Sequence, residues 1–214
     1  GREAVIREEI LAVVGATTSE IPFVGELIHV KDEEKDWENS IEKILHNFGL
    51  RLIVPDKYYK AVNEYVNNHD LRGRIVYHRY EETSSLRGFQ TRSANCLLNK
   101  LEFNKKSPYS IWVEDAICDH YNYACVDNLE EFYRYKEKVV TKEGLIKSVH
   151  NKHEKDDRPH RNNRENYVLG WDNKEKIATI RAAVKVLQEQ QKKNKDDIRR
   201  INLDIEALDK RKEC

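Results

Sequence analysis

Apolar residues recur at alternating spacings of three and four along the last part of the chain, through Ile177, Ile180, Val184, Leu187, Ile198, Ile201, Ile205 and Leu208. Gln191, Asn194 and Lys212 occupy the remaining positions of the same series. The residues between are almost all charged or amide-bearing, so a lone helix would expose an apolar stripe. The pattern therefore predicts a coiled-coil arm whose seam needs an antiparallel or intermolecular partner. Gln191 and Asn194 weaken that seam locally while fixing its register. At the other end Ile6, Ile10 and Val13 keep the same spacing before Gly15 and the Thr17-Thr18-Ser19 cluster stop the helix. The chain is thus expected to leave and return along one rod. From Ile177 to Leu208 the returning helix would extend about 48 Å. The first fourteen residues cannot cover that length, which makes the chain read as a piece of a longer rod.

Between the two helical stubs the periodicity changes. Leu27 to Val30, Trp37 to Phe48 and Leu50 to Val54 predict strand, helix, strand. A second helix is expected from Pro55-Asp56 to Asn67, with Tyr59, Val62, Tyr65 and Val66 on its apolar face, then a strand from Arg74 to His78. The same grammar returns about 72 residues later: Ser110 to His120, a strand at Tyr123 to Val126, a helix from Asp127 to Tyr135 and a strand from Lys138 to Thr141. Leu52-Ile53-Val54 aligns with Ala124-Cys125-Val126, and the repeat predicts an α/β (α+β) domain of two pseudo-symmetric strand-helix-strand halves.

The expected organisation is an outgoing stub (1–15), a globular domain (16–172) and a returning arm (173–214). Within the domain lie a first half (20–80), a connector (81–109), a second half (110–149), a polar arm (150–166) and a closing segment (167–172). Lys142-Glu143-Gly144 is a turn by composition, and Asp172 with Glu175 is a helix-start signal. His150 to Asn166, polar and without periodicity, is expected to be a loop or mobile arm.

With 38 basic and 38 acidic residues the formal charge is zero, so whole-chain balance gives no argument for nucleic acid. The distribution says more. Residues 20 to 50 are rich in Asp and Glu, whereas Lys147 to Arg164 carries six Lys/Arg and three His. Lys147, Lys152, Lys155, Arg158, Arg161 and Arg164 are the candidate phosphate contacts; they would neutralise DNA without reading bases.

The four cysteines form no Cys-x-x-Cys pair, and no apolar run is long enough for a bilayer; a reducing, cytoplasmic setting is expected. None of the eight glycines belongs to a phosphate-binding loop of Walker type.

His150, His153, Asp156, Asp157 and His160 fall within eleven residues, and a metal-dependent nucleic-acid-processing site using His150, His153 and Asp157 is the alternative they raise. Their spacing matches no ligand framework, and Pro159 with the flanking cations favours a salt-bridged polar arm. Cys118, His120 and Cys125 make a second trio, but Cys125 aligns with Ile53 and belongs in a core. Tyr58, Tyr59, Tyr65, Tyr121, Tyr123, Tyr133 and Tyr135 would suit base stacking, yet their helix and strand spacing favours core and rim positions. No nucleophile, paired carboxylates, metal or cofactor site is expected here, and catalysis is not.

An α/β domain of two related halves between outgoing and returning coiled-coil segments resembles the hinge of the structural-maintenance-of-chromosomes (SMC) family. Gly25-Glu26-Leu27-Ile28, Val30, Trp37, Ser40-Ile41-Glu42, Leu45 and Leu50 to Val54 look like that family's opening strand, helix and following strand. Arg72 to Val76 looks like the strand closing the first half, and Val139 to Gly144 like the late strand and turn. Ile21 to Ile28, Leu71 to Arg74, His153 to Arg158 and Tyr167 to Asn173 are similar to the JetC branch of Wadjet anti-plasmid systems, related to MukB and MksB. The glycine-rich run that follows the late turn in standard hinges is absent, and His150 to Asn166 stands in its place.

The resemblance implies a non-catalytic homodimerisation hinge, with ATPase heads elsewhere, in a bacterial, nucleoid-associated DNA-loop-extruding complex. A kleisin, an accessory subunit and a nuclease are the implied partners of the full-length complex, with no membrane role. Unpaired strand margins are the expected dimer contacts, at Arg74, Ile75, Val76, Tyr77, Val139, Val140, Thr141, Leu145 and Ile146. A static coiled-coil adaptor, dimerising through the Ile177 to Leu208 seam alone, is the remaining alternative.

Overall fold

The computed structural model describes residues 1–82, 93–171, 187–203 and 205. The chain divides into two units, residues 1–171 and 172–214.

Helix α1 (Arg2–Val14) ends where Gly15 turns left-handed at φ 68°, and the Ala16 amide returns to the Leu11 carbonyl at 3.1 Å. Glycine takes that conformation without a Cβ clash, so it stops the helix cleanly. Ile6, Ile10 and Leu11 are buried beside Ile21, Phe23, Leu52, Val54 and Val62. This corrects the seam reading at this end: Ile6 and Ile10 serve the domain core, and of the three only Val13, 56% exposed, stays outside it.

The first half continues with β1 (Ile28–Val30), α2 (Glu38–Gly49), β2 (Leu52–Pro55), α3 (Asp56–Asn68) and β3 (Tyr77–Tyr80). Ile41, Leu45 and Phe48 recur at one face of α2 and are buried, which leaves its opposite face polar. Strands β2 and β3 are parallel, joined by α3 as crossover. The first-half closing strand begins three residues later than the sequence suggests. Arg74, Ile75 and Val76 form the irregular lead into β3, although the Val76 carbonyl already accepts the Leu52 amide at 2.9 Å.

The second half contains β4 (Leu101–Phe103), α4 (Ser110–His120), β5 (Ala124–Val126), α5 (Leu129–Arg134), β6 (Val139–Thr141), β7 (Leu145–Lys147), β8 (His153–Lys155) and the short α6 (Pro159–Asn162). Strand β5 is parallel to β6 with α5 between them, repeating β2-α3-β3; β7 and β8 then add antiparallel strands in the order β5-β6-β7-β8. Asn128 starts α5 by accepting the Glu131 amide at 2.9 Å, a helix N-cap.

The repeat reaches further than its sequence signal. Phe23 bridges Leu52 in one half and Cys96 bridges Ala124 in the other. Each bridge is followed by a 3₁₀ turn, Val24–Leu27 or Leu97–Lys100, and then by β1 or β4. These two strands pair antiparallel, with Ile28 opposite Phe103, His29 opposite Glu102 and Val30 opposite Leu101. Equivalent residues therefore exchange places about the His29–Glu102 pair, and a pseudo-twofold axis passes through it. Residues 94–103, assigned to a connector by their sequence, open the second repeat: Cys96, Leu97, Leu98 and Leu101 enter the same core as Ile28, Val30 and Ile53. The hydrophobic signal was missed because it is spread over a turn and a three-residue strand.

The polar arm is likewise more ordered than expected, since β8 extends the sheet along β7. In the second unit residues 187–203 are helical, and Leu187, Ile198, Ile201 and Ile205 are between 50% and 66% exposed, as is Leu203 off the seam at 58%. Ile177, Ile180, Val184, Leu208 and the Asp172–Glu175 helix-start signal lie outside the described residues. Among the described residues no helix is long and apolar enough to cross a membrane.

Gly25 fixes how closely the closing segment approaches. A Cβ there would lie 2.3 Å from the Val168 carbonyl oxygen and 3.2 Å from that of Gly49. Gly25→Ala is expected to lose about 1–3 kcal/mol of stability through this overpacking, read as a lower midpoint of urea unfolding with an unchanged slope.

Candidate functional site

Strand β6 lies between β5 and β7, so Val139, Val140 and Thr141 are enclosed by their own chain and present no open margin. This corrects their assignment to a dimer contact. Leu145 and Ile146 are half-buried on β7, which β8 covers on its outer side. The margins of β2 and β5 are also occupied, by the Phe23 and Cys96 bridges, with the Val24 amide on Arg51 O at 2.8 Å and the Cys125 amide on Asn95 O at 2.8 Å.

Among the described residues β1 and β4 pair only with each other, and the β2-β3 pair and the four-stranded sheet each keep an unpaired side, at β3 and at β8. Alternate residues of a strand turn their amides to the same neighbour. Because Val76 O faces β2, Tyr77 and Arg79 turn outward from β3. On the other margin the Ser148 amide reaches Lys152 O at 2.8 Å across the hairpin. That registers Glu154 toward β7 and turns His153 and Lys155 outward. Tyr77 is therefore the one predicted contact residue on an open margin. The sequence missed β8 because His153-Glu154-Lys155 has no apolar residue, as suits a strand solvated on both faces.

The six candidate phosphate contacts do not form one free cationic face. Lys147 is only 7% exposed: its Nζ donates to the carbonyls of Tyr135 at 2.9 Å and Phe132 at 3.4 Å and sits 4.6 Å from the Phe132 ring centre. It is a structural ammonium, and its assignment to DNA is corrected. Lys152 pairs with Glu154 at 2.9 Å, Lys155 with Asp157 at 2.6 Å, and Arg158 forks onto Asp156 at 2.8 and 2.6 Å. Arg161 lies 3.7 Å from the same Asp156, and Arg164 binds Glu38. The Arg158 guanidinium holds the Asp156 carboxyl well below the usual carboxylate range, and the hydrogen bond from Lys155 lowers that of Asp157. Surface ion pairs of this kind are individually weak.

The same pairings bear on the metal alternative. Asp156 and Asp157 are spent on cations, His153 Nδ1 lies 3.0 Å from the Asn151 carbonyl, and no group of three potential ligands converges among the described residues. Cys118, His120 and Cys125 do not converge either; burial pushes the Cys125 thiol up to about 12. Of the tyrosines, Tyr58, Tyr59, Tyr65, Tyr121, Tyr123 and Tyr135 pack against the cores, and Tyr133 alone of the seven is largely exposed.

The polar face of α2 holds the arm and the closing segment. Arg164 binds Glu38; the Asn39 amide donates to Tyr167 Oη at 2.7 Å and to Asn162 Oδ1 at 3.2 Å; Lys43 lies 3.6 Å from Asp157. Glu42, 3% exposed, accepts the backbone amides of Val168 at 2.8 Å and Leu169 at 3.3 Å and lies 2.9 Å from His46 Nδ1. A buried carboxylate needs such donors. The i, i+4 spacing of Glu38, Glu42 and His46 was the sequence signal available for this surface.

On β3, His78 accepts from Arg51 Nη1 at 3.3 Å and lies 5.2 Å from the Trp112 ring. Burial first, then Arg51 and His120, lower its pKa from 6.5.

No protein-family model and no curated protein matches this chain. Solved structures do. The folded elbow of cohesin is similar at a TM-score of 0.56 and 15% identity, the match covering 96% of this chain and 31% of that one. The Pyrococcus furiosus Smc hinge domain with an extended coiled coil is similar at a TM-score of 0.50 and 19% identity, covering 88% and 67%. The chain spans about a third of the cohesin chain it matches. The fold is thus that of an SMC hinge domain, a mixed helix-and-strand domain with small sheets.

Two measurements test this geometry. Lys147→Ala leaves the Phe132 and Tyr135 carbonyls without their charged donor and is expected to cost about 1–3 kcal/mol, seen as a lower thermal midpoint. Unfolded His78 takes up a proton near its ordinary 6.5, and folded His78 only at lower pH. Stability is therefore full above that value and falls as pH drops from it towards the folded pKa. His78→Gln should flatten the loss in urea midpoint between pH 7.5 and 5.5.

Proposed function

We propose that this chain is the non-catalytic homodimerisation hinge of an SMC-like protein. The observation that carries the reading is the pair of open strand margins, β3 in one half and β8 in the other, in a fold shared with SMC hinges. Each margin turns two residues outward, Tyr77 and Arg79 on one and His153 and Lys155 on the other. A second copy related by a twofold axis would place β3 against its β8 twice over and leave neither margin bare.

The finer reading, a subunit of a DNA-loop-extruding ATPase in bacterial anti-plasmid defence, rests on the Wadjet-like segments at Ile21–Ile28, Leu71–Arg74, His153–Arg158 and Tyr167–Asn173. DNA contact falls to the five surface cations, Lys152, Lys155, Arg158, Arg161 and Arg164, in exchange for their carboxylate partners. The paired state of Asp156 and Asp157 speaks against the metal-dependent alternative.

Sedimentation at tens of micromolar is expected to give a dimer. Arg79→Pro removes an outward amide and should give a monomer with unchanged far-UV circular dichroism, whereas the seam variant Ile201→Asp should remain a dimer. The opposite pattern would establish a coiled-coil adaptor instead. Fluorescence anisotropy with duplex DNA should show binding at 50 mM salt that weakens by 200 mM; no binding at the lower salt makes the arm a solvated surface only.

A further inference from the structure

The outgoing helix and the exit segment are anchored on neighbouring residues of one turn. Arg7 of α1 reaches Glu26 through Nη1 at 2.7 and 2.8 Å, with its guanidinium carbon 4.5 Å from the Phe23 ring centre. Glu26 is itself fixed by the Phe23 amide, which donates to Oε2 at 3.0 Å. Arg7 is only 11% exposed, so this ion pair is not an interchangeable surface contact. The preceding residue, Gly25, takes the exit segment: its carbonyl accepts the Gly170 amide at 2.9 Å, and its missing side chain admits the Val168 carbonyl. Behind that contact Gly49 makes the same allowance for Val168 Cγ2, and Glu42 holds the Val168 and Leu169 amides.

We propose that the turn from Phe23 to Leu27 is a clamp that makes α1 and the segment from Val168 to Gly170 one mechanical unit, with Glu26 gripping α1 and Gly25 the closing segment. Two adjacent residues of a 3₁₀ turn cannot move independently by more than the turn deforms, since its short hydrogen-bonded ring fixes their backbone. Strain at α1 therefore reaches Val168 to Gly170 through one peptide unit rather than around the core. The opposed demands on this turn explain its composition: a carboxylate for the arginine, a glycine for the approach of a backbone. The clamp stands whether or not β3 and β8 pair with a second copy.

Hydrogen exchange on the full chain tests it. Arg7→Ala changes contacts to Glu8, Phe23 and Glu26 on the outgoing side. The clamp predicts that amides of Val168, Leu169 and Gly170 nevertheless exchange at least about fivefold faster, with those of β5 and β6 unchanged. Faster exchange confined to α1 and Phe23–Leu27 would overturn it. Should Arg7→Ala unfold the domain, Glu42→Gln gives the reciprocal measurement. Releasing the exit side must then accelerate the amides from Ile6 to Leu11, and an unchanged α1 overturns the clamp equally.

Discussion

The antiparallel pairing of β1 with β4 is the constraint on which the domain rests. Each half has a two-strand parallel unit too small to bury its own apolar residues, and a short two-strand unit is marginal alone. Setting Ile28 against Phe103 and Val30 against Leu101 joins the two repeats across His29–Glu102. The strands following the bridges thereby bring Leu97, Leu98 and Leu101 into one core with Leu27, Ile41, Leu45 and Phe48. The Phe23 and Cys96 bridges occupy the free sides of β2 and β5, which leaves β3 open at the end of the parallel pair and β8 at the end of the four-stranded sheet. The departure from symmetry lies in β7 and β8, which extend the second sheet where the first stops.

Legibility followed the hydrophobic period. Helix α2 was readable from Ile41, Leu45 and Phe48, and the repeat from Leu52–Val54 against Ala124–Val126, because buried residues there recur at fixed spacing. Strand β4 was not, since three residues with one charged member carry too little period. Strand β8 was not either, as it lacks apolar residues. Ile6 and Ile10 show the opposite failure: spacing identified an apolar helix face correctly but could not say which surface would cover it, and the first-half core does so.

The candidate site was legible by residue type and not by environment. Six cations between positions 147 and 164 look alike in the sequence, yet Lys147 reaches inward to two carbonyls while the other five meet carboxylates. The carboxylates were visible as neighbours at Asp156 and Asp157. The partners on α2, Glu38 for Arg164 and Lys43 for Asp157, lie more than a hundred residues away and could only be joined to them by the fold. The role of Glu42 was hidden for the same reason: it depends on the backbone amides of Val168 and Leu169.

The alternation of sign along the arm determines the reach of its field. Opposite charges a few ångströms apart form small dipoles, whose potentials cancel beyond a distance comparable to their separation, and physiological salt screens what remains within about 8 Å. A polyanion approaching this surface is consequently not drawn in from afar, as it would be by an unmixed basic face. Phosphate contact here would require the carboxylates to swing aside first, so its onset would be short-ranged.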